Sequence, residues 1–308
     1  MSVALASGRP ACRRRYRLRR FFTEAASVAL CLVLVIWSLT PVYNMALIAL
    51  DAEGDTEFTG NLWPPEPSLD SFRMIWTEGH WYLEHIWHQF GNSLYIGLLT
   101  MVLTLFIGSL ASFAVGRMRL NKVSLLINAA LLTYVVPASF LAIPFSRVVQ
   151  NYGLSDSLWA VIAADVTFAI PYAILILQHY AKLIPIEVDE AARVDGASPV
   201  QVYLHIYLPL MAPALAAVGT YALLLAWNEY LFQYLLLTSP QSTTVAVAME
   251  QFFDSDEAPW NYMMATAMIY ALPPIAIFYA LRRYIAAGLM MRDQLVSRAA
   301  TLTLLPTR

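Results

Sequence analysis

The stretch EAARVDGASPVQVYLHIYLP, residues 190–209, lies between two long apolar segments of the chain. Gly196 is a residue that commonly ends a helix, and Ser198 followed by Pro199 commonly starts one. Residues 184–209, called the hairpin below, are therefore predicted to form two short helices joined by a tight turn. An ordinary connector seldom combines a stop signal, a start signal and two apolar faces, so we interpret the hairpin as a docking element for another protein.

Each predicted helix of the hairpin has one apolar face. The face of the first helix consists of Ile184, Val188 and Ala191. The face of the second helix consists of Val200, Tyr203, Leu204 and Tyr207. Ala191 and Ala192 are small enough to let another surface approach closely, and Glu190 beside them offers a carboxylate to a basic group. Pro209 is predicted to end the second helix.

The segments on either side of the hairpin are predicted to cross a membrane. The 308-residue chain is 59% hydrophobic and 13% charged, whereas soluble domains carry about a quarter charged residues. Its long uncharged runs lack the alternation of a membrane-spanning strand, and they are long enough to cross a bilayer of about 30 Å as helices. The predicted fold class is all-α integral membrane with six transmembrane helices, at residues 25–50, 91–115, 123–146, 157–180, 210–238 and 261–283.

The distribution of Lys and Arg predicts the orientation of these spans. All but two of the 19 basic residues fall on one side, and the two exceptions are Arg73 and Arg147. The side rich in basic residues is predicted to be cytoplasmic, so both termini and the hairpin lie there. The first apolar run is longer than the core of a usual signal peptide, so an uncleaved first span is favoured over a cleaved leader.

These expectations divide the chain into five regions. They are a basic cytoplasmic N-terminal tail (1–24), the first span (25–50), an acidic and aromatic extracytoplasmic loop (51–90), a core of five spans that includes the hairpin (91–283), and a cytoplasmic C-terminal tail (284–308). In the outer loop, the Pro-rich WPPEP at 63–67 excludes helix, and residues 68–88 are predicted to form one amphipathic helix at the membrane surface. No metal-ligand set is predicted, although this loop contains His80, His85 and His88.

Two acidic residues, Asp165 and Glu229, lie inside apolar runs, where a charge costs about 2.5–3.5 kcal/mol. Such residues usually pair with a neighbour or line a wet path. Glu229 belongs to a cluster suited to sugar, because aromatic faces pack on sugar rings and amide or carboxylate groups bind hydroxyls. The candidate residues for a substrate path are Trp227, Asn228, Glu229 and Tyr230. The alternative is that the same cluster holds two helices together.

The hairpin resembles the cytoplasmic EAA motif of permease subunits in ATP-binding-cassette importers. That motif reads Glu-Ala-Ala, three residues, Gly, nine residues, Ile, one residue and Leu-Pro. The chain meets every fixed position, with Glu190, Ala191, Ala192, Gly196, Ile206, Leu208 and Pro209. The resemblance assigns these residues, together with Asp195, to coupling with an ATPase.

The resemblance extends over residues 20–289, and it points to the carbohydrate-uptake branch, with the second permease of maltose-type systems as the nearest kin. It is carried by Ile184-Pro185, Asp195-Gly196-Ala197-Ser198, Trp227-Asn228-Glu229-Tyr230-Leu231, Asn92-Ser93-Leu94 and Gly116-Arg117. The chain departs from the family at its end. There Met290-Met291-Arg292 follows Gly288-Leu289, in place of the family's Gly-Leu-Thr-x-Gly-Ala-Val-Lys-Gly tail.

The resemblance implies a non-catalytic translocation subunit of the inner membrane that imports sugar. It implies four kinds of partner: a homologous permease that completes a heterodimer, two ATPase subunits that bind ATP and Mg²⁺, an extracytoplasmic sugar-binding protein, and membrane lipid. It implies no nucleic acid and no cofactor on this chain. The sequence agrees with this division, because it contains no Gly-Lys pair and hence no G-x-x-x-x-G-K-[ST] phosphate loop.

Three other interpretations stay open at the level of sequence. A permease for another solute, such as a polyamine or phosphate, would carry the same EAA motif, although the Trp-Asn-Glu-Tyr element favours sugar. An ion-coupled secondary transporter would have inverted repeats with paired broken helices, and no corresponding halves stand out in the sequence. An integral-membrane enzyme would need clustered catalytic groups in its spans, which offer only Asp165 and Glu229.

Overall fold

The computed structural model describes residues 10–51, 62–117, 132, 136–253 and 258–303, with side chains between positions 20 and 284. Its helices are α1 (Pro10–Ala49), α2 (Asp70–Thr77), α3 (Ile86–Arg117), α4 (Ala138–Asn151), α5 (Leu158–Ala181), α6 (Ile186–Val194), α7 (Pro199–Leu210), α8 (Ala212–Asn228), α9 (Leu231–Leu236), α10 (Val245–Ala248) and α11 (Trp260–Thr303). In these described ranges the only strand-like pairing is an isolated bridge between Asp51 and Pro67. The prediction of an all-helical fold is confirmed.

Four helical segments of the described chain are long and apolar enough to cross a membrane, and α7 with α8 makes a fifth if this bent pair is one span. The four segments are Arg20–Ala49, Trp81–Arg117, Leu158–Ala181 and Trp260–Tyr284. They coincide with the predicted first, second, fourth and sixth spans. The predicted span at 123–146 lies largely outside the described residues, and α4 covers its last part.

The outer segment before α3 differs from the prediction of one surface helix over residues 68–88. α2 ends at Thr77, where the Gly79 N–H donates to the Met74 carbonyl over 3.0 Å. Glu78 and His85 then adopt positive φ angles of 51° and 69°, on either side of a short 3-10 turn. Because the left-handed conformation interrupts a helix, the predicted single helix is wrong. α3 begins at residue 86 instead of the predicted 91.

The chain forms two compact units, of which the smaller comprises residues 1–73 and 259–268. In this unit the Ser68 N–H donates to the Leu50 carbonyl over 2.8 Å, and Asn261 Nδ2 donates to the Asp51 carbonyl over 3.3 Å. Every residue of α1 from position 20 to position 44 is exposed. An apolar helix with this exposure needs a cover of lipid or of another subunit.

The larger unit comprises residues 74–258 and 269–308, and its centre is formed by α3, α5 and α8. These helices approach closely where one of them carries a glycine. A Cβ at Gly97 would lie only 3.2 Å from Leu223 Cδ1 and 3.3 Å from Trp227 Cε3, and a Cβ at Gly219 would lie 3.2 Å from Leu105 Cδ1. Small residues at such crossings are typical of helix packing in membranes, where close backbone approach replaces the hydrophobic driving force.

Two apolar clusters can be described among the residues of the larger unit that the structure covers. The first packs α4, α5 and α9 together and includes Ala142, Val149, Val161, Ile162, Phe232 and Leu236. The second joins the hairpin to α3 and α5 and includes Phe113, Leu177, Val202, Tyr203, Tyr207 and Met211. The second cluster holds the hairpin against the ends of the long helices.

Candidate functional site

The turn of the hairpin forms as the sequence predicts. Gly196 follows α6 with a φ of +86°, a conformation that favours glycine because it has no Cβ. The Ala197 N–H donates to the Ala192 carbonyl over 2.9 Å, and the Gly196 N–H donates to the Arg193 carbonyl over 3.1 Å. These bonds satisfy carbonyls that the end of a helix would otherwise leave without partners.

The second arm of the hairpin begins with a capping box. The Gln201 N–H donates to Ser198 Oγ over 3.3 Å, and the Ser198 N–H donates to Gln201 Oε1 over 2.8 Å. Pro199 occupies the first turn, where its missing N–H leaves no bond unmade. The start of α7 is therefore fixed by local chemistry that the sequence already contains.

α7 does not end at Pro209, as the sequence predicted, but runs on to Leu210 and is interrupted at Met211. It contains a π turn over Tyr203–Tyr207, and the axes of α7 and α8 differ by 78°. Pro209 stands in the first turn after the π turn, where a missing N–H is tolerated. The chain therefore bends at Met211, between the two helical arms α7 and α8.

An ion pair anchors α6 to the end of α3. Asp189 is buried, and its Oδ2 lies 3.0 Å from Arg117 Nε. Arg117 Nη2 also donates to the carbonyls of Ala181 and Ile184, over 3.3 Å and 3.1 Å. Because the guanidinium of Arg117 is buried, its partner Asp189 faces the end of α3 and not the solvent. The predicted apolar face of α6 is therefore exposed at Val188 and Ala191.

Two tyrosine hydroxyls join α7 to α3. The hydroxyl oxygen of Tyr203 lies 2.7 Å from Ser109 Oγ, and the Tyr207 hydroxyl donates to Ser112 Oγ over 3.0 Å. The Phe113 ring packs edge-on against both tyrosine rings, with centroid distances of 5.2 Å and 5.0 Å. This buried contact connects the second arm of the hairpin to a 32-residue helix.

The buried face of α7 agrees with the prediction only in part. Tyr203 and Tyr207 are buried as predicted, but Val200 and Leu204 are 64% and 49% exposed. Val202 is buried in their place. The physical reason at Val202 is packing, because this residue belongs to the second apolar cluster, between α7 and the ends of α3 and α5.

The predicted coupling residues lie mostly on the outer surface of the hairpin. Five of them are exposed, namely Glu190, Ala191, Asp195, Gly196 and Pro209. Three are half-buried, namely Ala192, Ile206 and Leu208. Val194 is 88% exposed and adds an apolar side chain to this surface. We call Glu190, Ala191, Val194 and Asp195 the outer face of the hairpin.

Sequence reasoning did not identify the residues that hold the outer face in place. They are Ser109, Ser112, Phe113 and Asp189, together with the ion-pairing role of Arg117. One signal was available. An arginine at the end of an apolar span and a carboxylate directly before the EAA residues are complementary charges at a predicted helix junction.

The Trp-Asn-Glu-Tyr element, residues 227–230, lies where the helix breaks between α8 and α9. Glu229 Oε1 accepts from the Phe232 N–H over 2.8 Å, and Glu229 Oε2 accepts from the Gln233 N–H over 3.0 Å. A carboxylate in this position satisfies amides at the start of a helix and interacts favourably with the helix dipole. Glu229 therefore restarts the helix after the break.

Trp227 makes contacts within the helical core, and Asn228 bonds to its own helix. The Trp227 ring is buried and stacks on Tyr270 with a centroid distance of 4.6 Å, and the Tyr270 hydroxyl donates to the Trp227 carbonyl over 2.9 Å. Asn228 is exposed, and its Nδ2 donates to the Leu224 carbonyl over 2.7 Å. Trp227 therefore joins α8 to α11 within the larger unit.

The other two members differ in what they face. The Tyr230 ring stacks on Tyr234 with a centroid distance of 5.6 Å. Glu229 lines a cavity of about 290 Å³, which it shares with Asp165 of α5. The two acidic residues that the sequence singled out separately are thus brought to one cavity.

Asp156 binds the segment 238–242, which follows α9, and we call this contact the carboxylate clamp. Asp156, between α4 and α5, accepts at Oδ1 from the N–H groups of Thr238 and Ser239 over 2.8 Å and 3.0 Å, and from the Ser242 hydroxyl. Its own N–H donates to the Leu236 carbonyl over 2.9 Å. Partial burial acts to raise the pKa of Asp156, but the hydrogen bonds from Ser239, Ser242 and Thr238 outweigh it and lower the pKa well below its ordinary value.

Removing the charge of this clamp is expected to loosen the 238–242 segment. In Asp156→Asn, hydrogen exchange at the Thr238 and Ser239 amides should accelerate about tenfold or more, because a hydrogen bond to a charged group is worth about 1.5–3 kcal/mol. Asp70→Asn, an exposed acid, is the control. Unchanged exchange at both amides would contradict the clamp.

The depressed pKa also sets the pH dependence of the clamp. A group whose pKa is lowered by folding stabilises the folded state at every pH above its unfolded pKa, which is about 3.9 for Asp. The stabilisation is lost only as pH falls through the lower pKa of the folded state. Protection of the two amides should therefore be constant from neutral pH down to about pH 4.

Residues 27–290 match the protein family described as "Binding-protein-dependent transport system inner membrane component". The chain is 33% identical over 201 residues to an inner membrane ABC transporter permease protein, YcjP, of Escherichia coli, with 65% of this chain and 71% of the relative covered. It is 31% identical over 255 residues to the trehalose transport system permease protein SugB of Mycobacterium tuberculosis, with 82% and 91% covered.

A solved structure has the same fold. It is the crystal structure of a bacterial ABC transporter involved in the import of the acidic polysaccharide alginate, and one of its chains superposes with a TM-score of 0.72 at 18% identity. The superposition covers 87% of this chain and 98% of the other. The predictions of a membrane permease and of its location in the inner membrane are confirmed. The chain belongs to the family of inner membrane components of binding-protein-dependent transport systems.

Proposed function

We propose that the chain is one permease subunit of an ATP-binding-cassette importer of sugar, driven by ATP hydrolysis on separate subunits. One observation carries the proposal. The hairpin is fixed to α3 by the buried contacts of Arg117 and two tyrosines, while its outer face is exposed. An exposed surface that is rigidly connected to membrane helices is suited to transmit the movement of another protein.

The outer face of the hairpin is proposed to bind an ATPase subunit. Glu190 offers a carboxylate to a basic group, Ala191 lets the partner approach closely, and Val194 offers apolar area. The remaining motif residues of the second arm are Ile206, Leu208 and Pro209. In this proposal two ATPase subunits bind ATP and Mg²⁺, and their closure moves the hairpin.

The proposed topology has six spans with both termini in the cytoplasm. Four long apolar helices and the bent pair of α7 and α8 support it, as does the concentration of Lys and Arg on one side. A homologous permease is proposed to complete the path as a heterodimer. The exposed side of α1 offers surface to that subunit or to lipid.

Sugar is the solute that the observations favour. The relative with 31% identity is named for trehalose transport. The described residues that line the cavity of Glu229 and Asp165 include no Lys, Arg or His, so this cavity is unsuited to phosphate. A binding protein outside the membrane, which the family description names, is proposed to deliver the sugar.

The energy source separates this proposal from a secondary transporter. In proteoliposomes that hold the complete complex, uptake of the sugar should stop when vanadate blocks ATP hydrolysis and should persist when ionophores collapse the ion gradients. Uptake that survives vanadate and stops with the ionophores would contradict the proposal. Omission of the binding protein is the control, and it should abolish the uptake that persists in the presence of ionophores.

A further inference from the structure

The cavity shared by Asp165 and Glu229 has mostly apolar walls. It has a volume of about 290 Å³ and lies among α5, α8, α9 and the residues at the start of α4. Its apolar lining consists of Val136, Pro137, Ala138, Phe168, Leu225 and Phe232. Ligand cavities typically measure about 300–1,000 Å³. This cavity lies at the lower limit of that range, which suits a single small ring rather than a chain of rings.

Asp165 is a buried acceptor without a donor in the described part of the chain. Its side chain is 0% exposed, and neither carboxylate oxygen accepts a hydrogen bond from the described residues. A buried polar group in this state costs free energy until a partner satisfies it, so native proteins rarely leave one unsatisfied without a functional reason. A group that enters the cavity and donates a hydrogen bond would remove this cost.

Glu229 adds a second acceptor in a fixed orientation. The Phe232 and Gln233 amides hold its two oxygens, one bond to each. A carboxylate has about four lone-pair sites, so each oxygen can still accept from a ligand. No cation lines the cavity among the described residues. The cavity therefore offers two carboxyl groups for hydrogen bonding and no positive charge.

The aromatic walls suit the face of a ring. The Phe168 and Phe232 rings are tilted against one another with a centroid distance of 5.2 Å, and both line the cavity. Hydroxyl groups donate hydrogen bonds to carboxylates, and the C–H face of a sugar ring packs on aromatic carbon. A ring that carries a carboxylate would find no positive charge to pair with among the described residues of this cavity.

We propose that this cavity is a solute site that accepts one neutral or amino-substituted sugar ring through Asp165 and Glu229 and excludes rings that carry a carboxylate. The inference rests on the proposed function as a sugar permease and specifies the class of sugar. The solved transporter of the same fold is involved in import of an acidic polysaccharide, so a site of this charge would separate the two in specificity.

Replacing Asp165 by leucine tests whether the carboxylate binds solute or serves the fold. Leucine has a similar shape and leaves no polar group unsatisfied, so the helices should assemble as before. The complete complex is reconstituted in proteoliposomes with radiolabelled trehalose, melibiose and diacetylchitobiose as probes. Uptake of the imported sugar should fall at least tenfold in Asp165→Leu, while copurification of the ATPase subunits is unchanged. Asp70→Asn is the control, with uptake as in wild type.

Three outcomes of this experiment would overturn the inference, and one of them would overturn the proposed function as well. Wild-type uptake in Asp165→Leu overturns the inference and leaves the proposed function standing. Import of spermidine or phosphate by the wild-type complex, with none of the three sugars imported, overturns the proposed function and the inference with it. Import of an alginate oligosaccharide by the wild-type complex also overturns the inference, because the cavity should exclude a uronate.

Thiol labelling tests the charge of the cavity without reference to any sugar. The chain has two cysteines, Cys12 and Cys31, so a background with serine at both positions is practical. In that background Asp165→Cys should react at least tenfold faster with trimethylammonium-ethyl methanethiosulfonate than with the sulfonato-ethyl reagent, because Glu229 attracts cations. Adding Glu229→Gln should abolish the preference. Val200→Cys, at an exposed position of the hairpin outside the predicted spans, is the control and should have no preference. Equal rates at position 165, or no reaction with either reagent, would overturn the inference.

Discussion

The Asp189→Ala variant is expected to lose its ATPase subunits and, with them, all transport. Asp189 and Arg117 form a buried ion pair with 3.0 Å between Oδ2 and Nε. Removing one partner of a buried pair leaves an uncompensated charge and costs about 3–5 kcal/mol. We expect α6 to detach from the end of α3 while α7 keeps its tyrosine contacts, and copurification of the ATPase subunits should fall at least tenfold.

Two further variants make this prediction specific. Glu187→Ala removes an exposed acid from the same helix and should leave the complex intact. The double exchange Arg117→Asp with Asp189→Arg restores opposite charges and should recover part of the copurification. Normal ATPase binding in Asp189→Ala would contradict the role of this pair as the anchor of the hairpin.

A second large effect is expected at the outer face itself. Glu190→Lys reverses the charge of an exposed residue, so membrane insertion of the permease should be as in wild type. The proposed contact with a basic group of the ATPase becomes a repulsion. We therefore expect at least a tenfold loss of both ATPase binding and sugar uptake, measured by copurification and by proteoliposome transport.

The matched control for this reversal is Glu66→Lys, which makes the same change at an exposed acid of the outer loop. It should leave ATPase copurification unchanged. A Glu190→Lys complex that retains its ATPase subunits would remove the hairpin's outer face from the proposed interface. Loss of insertion in this variant would contradict the exposure of Glu190.

The local chemistry of the hairpin could be predicted because short-range signals decide it. Gly196 is needed for a positive φ, and Ser198 with Gln201 closes a capping box within four residues of sequence. The inward turn of Asp189 could not be predicted in the same way, because its partner Arg117 lies 72 positions earlier in the chain. Hydropathy alone assigns a carboxylate to water and an alanine to the core.

The candidate substrate path has the same division between local and distant determinants. The break at Trp227–Glu229 is encoded locally, since Glu229 caps the helix that follows. The proximity of Asp165 to Glu229 depends on how α5 packs against α8 and α9, which periodicity does not specify. In the outer loop, composition predicted an amphipathic segment, but it could not predict the left-handed residues at Glu78 and His85 that divide it.

The helices α7 and α8 form two arms whose axes differ by 78°. Backbone hydrogen bonds continue across their junction, because the Met211 N–H donates to the Tyr207 carbonyl and the Leu215 N–H donates to the Met211 carbonyl, each over 2.9 Å. At a rise of 1.5 Å per residue the arms measure about 18 Å and about 26 Å. Because the two arms are nearly at right angles, a force applied along the short arm is nearly perpendicular to the axis of the long arm.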